Sequence, residues 1–240
     1  MLKCTHVIKD FGGVRALAGV TMDVHKGEIL GLVGPNGSGK STLINNIAGQ
    51  YTPTSGKIEF LEHDITGLAP HRINWLGVAR TYQIPRPFMT MTVRENVEIS
   101  ALFGSARGAT LDQAVDDAMT WLDFTGLSKY ADYPVSKLNL HQRKFLELSR
   151  ALATNPRMLL LDEVMAGLNP SEIDESVEMI RKVFDSGVTI VIVEHLMRVV
   201  TSLSTRMIVL DQGKLIAEGE PEAVMRDSLV VSAYLGKDYA

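Results

Sequence analysis

The residues Gly34-Pro35-Asn36-Gly37-Ser38-Gly39-Lys40-Ser41-Thr42 set glycines ahead of a lysine and two hydroxyl side chains. This is the pattern G-x-x-x-x-G-K-[ST] of a loop that wraps phosphate groups. Glycines let the backbone curl until its N–H groups converge on phosphate oxygens, and the helix that follows adds the positive end of its dipole. In that arrangement Lys40 reaches the β- and γ-phosphates and the Ser41 hydroxyl ligates Mg2+. The chemistry implied is binding of a nucleoside triphosphate.

Three further places carry groups that suit such a ligand. Met158-Leu159-Leu160-Leu161-Asp162-Glu163 is an apolar run ending in two carboxylates. Read alone, that is an acidic turn after a buried strand. Beside a phosphate loop, Asp162 suits Mg2+ held through water, and Glu163 suits polarisation of an attacking water. His195 follows the apolar run Val188 to Val193 and Glu194, where a strand's carboxyl end meets the ligand crevice in sheets of this class. A lone histidine there is more often a helix-start or hydrogen-bonded residue. Gln83 lies in Arg80-Thr81-Tyr82-Gln83-Ile84-Pro85-Arg86-Pro87, where the prolines impose an extended, exposed path. Its amide suits Mg2+ or a water, though by itself the segment is only a loop.

The elements that must position these groups are legible as short apolar strands alternating with amphipathic helices, the pattern of a mostly parallel sheet faced by helices. Strands are expected at Glu28 to Val33, Met158 to Leu161, Val188 to Val193 and Met207 to Leu210. A helix from about Ser41 to Ala48 follows the first strand. Another opens at Asn169-Pro170, with Ile173, Val177, Ile180 and Phe184 on its apolar face and Gly187 closing it. From Arg94 to about Leu152 the periodicity is helical without a convincing strand. Leu111, Ala114, Val115, Ala118 and Leu122 trace one face, and Leu138 to Leu152 form another helix. This reads as a helical subdomain inserted into an α/β core. Residues Gly213 to Gly219 then form a strand, and Pro221 to about Met225 a short helix.

Composition narrows the class. The chain has 240 residues with 45% apolar and 22% charged side chains, ordinary globular usage that excludes disordered and fibrous structure. Its formal net charge of −4 offers no electrostatic reason to bind a phosphodiester backbone, so no nucleic-acid partner is expected. The longest strongly apolar stretches fall far short of the ~20 residues a spanning helix needs. The first residues, Met1 to His6, lack the apolar core of a secretory signal. Cys4 is the single cysteine, so internal disulfides and cysteine metal clusters are excluded and a reducing compartment is expected.

Taken in order, these residues resemble the ATP-binding cassette (ABC) ATPases, the nucleotide-binding subunits of membrane transporters, over essentially the whole chain. The resemblance is carried by Gly34 to Thr42, Gln83, Asp162-Glu163, Gly167-Leu168-Asn169-Pro170 at the place of a dimer-contacting loop, and His195. Phe11 matches the adenine-stacking aromatic, with Val14 beside it. Finer features resemble the branch serving uptake of branched-chain or other hydrophobic amino acids: Phe11-Gly12-Gly13, Arg80 to Gln83, Thr92-Val93-Arg94-Glu95-Asn96, Ala166 to Pro170, Glu218-Gly219 and Ala233-Tyr234-Leu235-Gly236. Relatives that export lipids share much of this pattern.

The resemblance implies a phosphate-loop NTPase core with an antiparallel β part near the N-terminus. It divides one domain into a nucleotide-binding core, 1–83 and 153–240, and a helical subdomain, 84–152. It further implies ATP and Mg2+, with Glu163, His195 and Lys40 catalytic. Phe11, Val14, Gly34, Asn36, Gly37, Ser38, Gly39, Lys40, Ser41, Thr42, Gln83 and Asp162 would bind the nucleotide, and Ser41, Gln83 and Asp162 the metal. Partners implied are membrane permease subunits docked by Ile84 to Met91, a second cassette, and a substrate-binding protein. The chain itself would sit peripherally on the cytoplasmic face of the membrane. Phe88 in the docking segment reads equally as subdomain core.

One departure stands out. Where the family carries Leu-Ser-Gly-Gly-Gln, which caps the γ-phosphate bound by the opposite subunit, this chain has Leu138-Asn139-Leu140-His141-Gln142. Asn139 still suits a helix cap, but Leu140 and His141 put β-carbons where a backbone approaches closely. The expectation is a heterodimer whose partner has an intact hallmark; in a homodimer both sites would share the change.

Overall fold

The apolar runs become strands and the amphipathic runs helices. The computed structural model describes residues 1–104 and 110–235. It begins with strands β1 (Leu2–Phe11), β2 (Val14–Val24) and β3 (Ile29–Val33), then helix α1 (Lys40–Ile47), β4 (Ser55–Phe60), β5 (His63–Asp64) and α2 (Pro70–Trp75). There follow β6 (Val78–Arg80), α3 (Val93–Phe103), α4 (Leu111–Phe124), α5 (Leu140–Ala153), β7 (Met158–Asp162) and α6 (Pro170–Asp185). The last stretch carries β8 (Thr189–Val193), α7 (Met197–Leu203), β9 (Arg206–Asp211), β10 (Lys214–Gly219), α8 (Pro221–Met225) and α9 (Ser228–Leu235). Gly236, within the ending quoted above, lies outside the described residues.

The described residues form two compact units, one from 1–73 and 189–235, the other from 74–188. In the first, β2, β1, β4 and β5 make an antiparallel sheet. Beside this, β3 runs parallel to both β8 and β9, and β10 pairs antiparallel with β9. All five residues of β3 are buried, which is why this strand reads as an unbroken apolar run rather than an alternation. Glu28, expected as its first residue, instead pairs with Arg206 at 2.7 Å and caps the strand's edge. Val33, the last residue before the phosphate loop, shares a core with Val209, Val224 and Val230, so α8 and α9 pack behind the loop.

Cys4 lies in β1 among buried apolar side chains, and burial pushes its thiol up to about 12. A thiolate is the reactive form, so native protein should not react with an aromatic disulfide reagent at pH 8, while unfolded protein should release one equivalent. Rapid labelling of native protein would contradict this placement.

In the second unit β6 runs parallel to β7, and α3, α4 and α5 pack around Val93, Val97, Ala114, Ala118, Leu122 and Leu146. Leu111, expected on that face, is exposed in the first turn of α4, whose cap is Thr110. On α6 the buried residues are Ile173, Ser176, Met179, Ile180 and Val183, while Val177 and Phe184 flank them half-buried. The buried set thus steps by threes along Ile173, Ser176 and Met179, and from Ile180 to Val183, where steps of four, three and four were expected. Asn169 caps α6 by accepting the Glu172 N–H at 3.0 Å, with Pro170 in the tolerated first turn.

Candidate functional site

The phosphate loop hangs between β3 and α1 in the first unit. Gly34 has φ +146° and packs so closely that a β-carbon there would lie 2.0 Å from the Leu210 carbonyl and 2.7 Å from Ser38 Oγ. Gly39 is also closely packed, with a β-carbon 2.7 Å from the Ala16 carbonyl. At Gly37 the same direction is open, so the loop is pinned at its ends and clear in the middle. Lys40 is only 5% exposed. Its ammonium donates to the Gly34 and Pro35 carbonyls at 2.7 and 2.9 Å, which folds a desolvated cation into the loop's concavity. Among the described residues the buried Ser38 Oγ has no hydrogen-bond partner, a donor left over for a ligand oxygen. Ser41 and Thr42 open the first turn of α1 behind it.

The C-terminal part of the chain braces this loop. Gly213 donates its N–H to the Ser38 carbonyl at 2.9 Å. Tyr234 of α9 is raised by burial, opposed by a hydrogen bond from the Gly34 backbone. At the β1–β2 turn Phe11 faces Val14 across the ladder and meets Tyr51 edge-on at 5.1 Å. Lys9 Nζ, donating to the Thr52 carbonyl at 2.8 Å, lies 5.0 Å from the Phe11 centroid. Phe11 is 42% exposed, an aromatic face available to a base. His195 stands exposed two residues past β8, after the buried Glu194.

The second unit gathers the acidic groups at the carboxyl end of β7. The register pairs Arg80 with Leu160, which puts the Arg80 side chain on the face shared by Leu160 and Asp162. Arg80 Nη2 meets Asp162 Oδ2 at 2.7 Å, with side chains only 9% and 8% exposed, and the guanidinium stacks over Tyr82 at 4.9 Å. Gln83 donates from its amide to Glu163 Oε2. Glu163 is the turn itself, with φ +49° in the left-handed region that a non-glycine residue adopts only under local constraint. Ile84 to Met91 continues outward, with Ile84, Phe88 and Met89 exposed, so Phe88 is not part of the subdomain core. Asn96 secures that segment by accepting the Phe88 N–H at 2.7 Å and donating to its carbonyl at 3.1 Å.

Within each unit, then, the expected residues converge: Gly34, Ser38, Lys40 and Ser41 in one, Gln83, Asp162 and Glu163 in the other. Arg80, Tyr51 and Tyr234 were not singled out for these contacts from sequence. Their placement depends on strand register and helix packing, and the only sequence signals were Arg80 in the Arg-Thr-Tyr-Gln run and Tyr234 in the chain's ending.

Comparison with known proteins agrees with this geometry. A family model described as ABC transporter matches residues 17–166, and one described as branched-chain amino acid ATP-binding cassette transporter matches residues 214–240. The high-affinity branched-chain amino acid transport ATP-binding protein LivG of Salmonella typhimurium is 36% identical over 250 residues, covering 99% of this chain and 98% of that protein. LivG of Escherichia coli is 37% identical over 251 residues, with the same coverage. The crystal structure of a nucleotide-free ATP-binding cassette from an ABC transporter matches with a TM-score of 0.88 at 34% identity, each chain covered to 99%. A dimeric cassette bound to ADP and Pi matches with a TM-score of 0.82 at 26% identity, over 92% of this chain and 99% of that one. The chain belongs to the ATPases of ABC transporters, in the branch of the branched-chain amino acid transport ATP-binding proteins.

Proposed function

We propose that this chain hydrolyses MgATP to drive import of branched-chain or other hydrophobic amino acids through permease subunits it serves from the cytoplasmic face of the membrane. The observation that carries the reading is the phosphate loop, with its buried Lys40 and orphaned Ser38 hydroxyl. Likeness to LivG over nearly the whole chain supports the substrate class. It favours import over the two rival readings, a lipid exporter and an ABC ATPase that acts away from membranes. Among the described residues no helix is long and apolar enough to cross a membrane, so the translocation path belongs to other subunits.

In this reading residues 1–83 and 153–240 form the nucleotide-binding core and 84–152 the helical subdomain. Phe11 and Val14 receive the adenine, and Gly34 with Asn36 to Thr42 wrap the phosphates. Lys40 exchanges the loop carbonyls for β- and γ-phosphate oxygens. The hydroxyl of Ser41, the amide of Gln83 and the carboxylate of Asp162 are hard oxygen donors that fit Mg2+. Mg2+ held there would offset the negative charge of the phosphates. Glu163 takes the proton side of the attacking water, Gln83 orients Glu163, and His195 contacts the γ-phosphate. The Lys40 ammonium and loop N–H groups stabilise charge that develops on the leaving phosphate.

Two cassettes close on two ATP molecules, and hydrolysis lets them part. Asn139 spends its side chain on the α5 cap, accepting the Gln142 N–H at 2.8 Å. With β-carbons at Leu140 and His141, this segment serves the partner's ATP poorly. A heterodimer follows, in which a partner with an intact hallmark completes this chain's own site. The exposed Ile84 to Met91 segment docks the permease, and a substrate-binding protein delivers the amino acid from outside.

Tagging the chain in its native cell, solubilising membranes gently and identifying what co-purifies tests this. Polytopic permeases with a second, hallmark-intact cassette are the expected result. A soluble partner, with the chain absent from membranes, would leave ATP hydrolysis standing and overturn transport; permeases with this chain as the only cassette would overturn the heterodimer.

A further inference from the structure

Helix α5 begins at the altered hallmark, and its next turn reaches the turn that carries Glu163. Lys144 lies one turn in, only 7% exposed, and its ammonium donates to the Val164 carbonyl at 2.8 Å. Its neighbours in that pocket are mostly apolar, among them Leu148, Leu161, Val164 and Met179. In such surroundings a charge-assisted bond from an ammonium to a carbonyl is stronger than the same bond in water.

The carbonyl it holds is that of the residue after Glu163. Glu163 sits at φ +49°, a conformation that persists only where neighbours over-determine it. Within the turn, Ala166 donates to the Glu163 carbonyl at 3.2 Å and Leu168 to the Met165 carbonyl at 3.2 Å. A second grip comes from Leu140, which shares a helix face with Lys144 through their i, i+4 spacing. A β-carbon on Gly167 would lie 3.2 Å from Leu140 Cδ2. So α5 holds the turn at Val164 through Lys144, and half-exposed Leu140 lies close beside Gly167. The other changed position, His141, turns inward: its ring lies 4.3 Å from that of Phe145, and Nδ1 is 3.8 Å from Glu175 Oε2.

We infer that Lys144 is a positioning residue for Glu163, with Leu140 as a second hold on the same turn. The two side chains clamp this chain's own catalytic turn, and Leu140 thereby has a use in place of the hallmark glycine. Without the ammonium, the Val164 peptide is free to rotate, Glu163 relaxes toward an ordinary backbone conformation, and its carboxylate swings away from the water. Every residue of the phosphate loop is kept, so nucleotide binding stays. The inference rests on the assignment of Glu163 as the group that polarises the water.

The test uses the assembled transporter. Lys144→Met keeps the stem and removes the charge. We expect kcat at least tenfold lower with the ATP KM within twofold, while Lys144→Arg keeps at least a third of wild-type kcat. In the nucleotide-free protein, amide hydrogen exchange over residues 163–168 should be at least fivefold faster in Lys144→Met. Lys144→Gln, polar but too short to reach Val164, carries the same expectations if the Met variant does not assemble. A kcat within twofold of wild type, or a KM rise that accounts for the whole loss, overturns the inference. Glu163→Gln in parallel separates the causes. If Glu163→Gln collapses turnover and the Lys144 variants do not, only the positioning role falls. If Glu163→Gln keeps wild-type turnover, the assignment of Glu163 falls as well.

Discussion

Glu163→Gln should lower ATP turnover of the assembled transporter by about a hundred- to ten-thousand-fold, the range a positioned general base supplies. The substitution replaces one carboxylate oxygen by an amide of the same shape. Gln83 donates to Glu163 Oε2, and the retained amide oxygen of the variant still accepts that bond, so the turn is not disturbed. The lost property is the capacity to take a proton from water. The substitution leaves Lys40 and every residue of its loop unchanged, so the Kd for ATP should stay within about twofold. Single-turnover phosphate release and equilibrium nucleotide binding read the two separately. Turnover above a tenth of wild type would contradict the role of Glu163.

Gly34→Ala should abolish nucleotide binding and destabilise the protein by about 2–4 kcal/mol, from overpacking and backbone strain together. The new methyl would meet the Leu210 carbonyl at 2.0 Å, and that carbonyl cannot retreat easily. It belongs to β9, whose pairing with β3 continues to Val33↔Val209, next to the clash. The φ of +146° adds a second obstacle, since L side chains rarely adopt it. The loop must therefore lift away from β9, carrying with it the Gly34 carbonyl that binds Lys40. At about 2–4 °C per kcal/mol for a domain of this size, the melting temperature should fall by about 5–15 °C. Gly37→Ala is the control: it too has positive φ, +77°, but no atom lies within 4 Å of the new methyl. Only the local backbone cost of about 1–2 kcal/mol remains there. Equal losses from the two substitutions would show that the Leu210 contact is not the cause.

Residues whose role is set by local backbone chemistry were legible in sequence. Gly34 to Thr42 is one, because its glycines, lysine and hydroxyls act within a single turn. Asn139 and Asn169 are others, since each caps a helix through the residue three positions on. The buried strands β3, β7 and β8 were legible because uninterrupted apolar runs have few other uses. β1 and β2 were harder to read: bulges break their alternation near Cys4, Val7 and Lys9, so no clean period of two survives. Arg80 and Lys144 illustrate the remaining limit. A basic residue on a strand end or an amphipathic helix reads as solvent-facing. Only the β6–β7 register and the fit of α5 against the Glu163 turn reveal that both are buried against the catalytic strand's exit. α9, short and mostly apolar, offers no periodic signal of its own.

The most direct test is transport itself, in proteoliposomes holding the purified complex with ATP on the cassette side and its substrate-binding protein outside. Labelled leucine, isoleucine and valine are offered to wild-type and Glu163→Gln complexes. Inward accumulation that requires ATP and disappears with Glu163→Gln is the expected result. Hydrolysis without accumulation of any of these amino acids, or accumulation that survives Glu163→Gln, would contradict a cassette whose ATP hydrolysis powers their import.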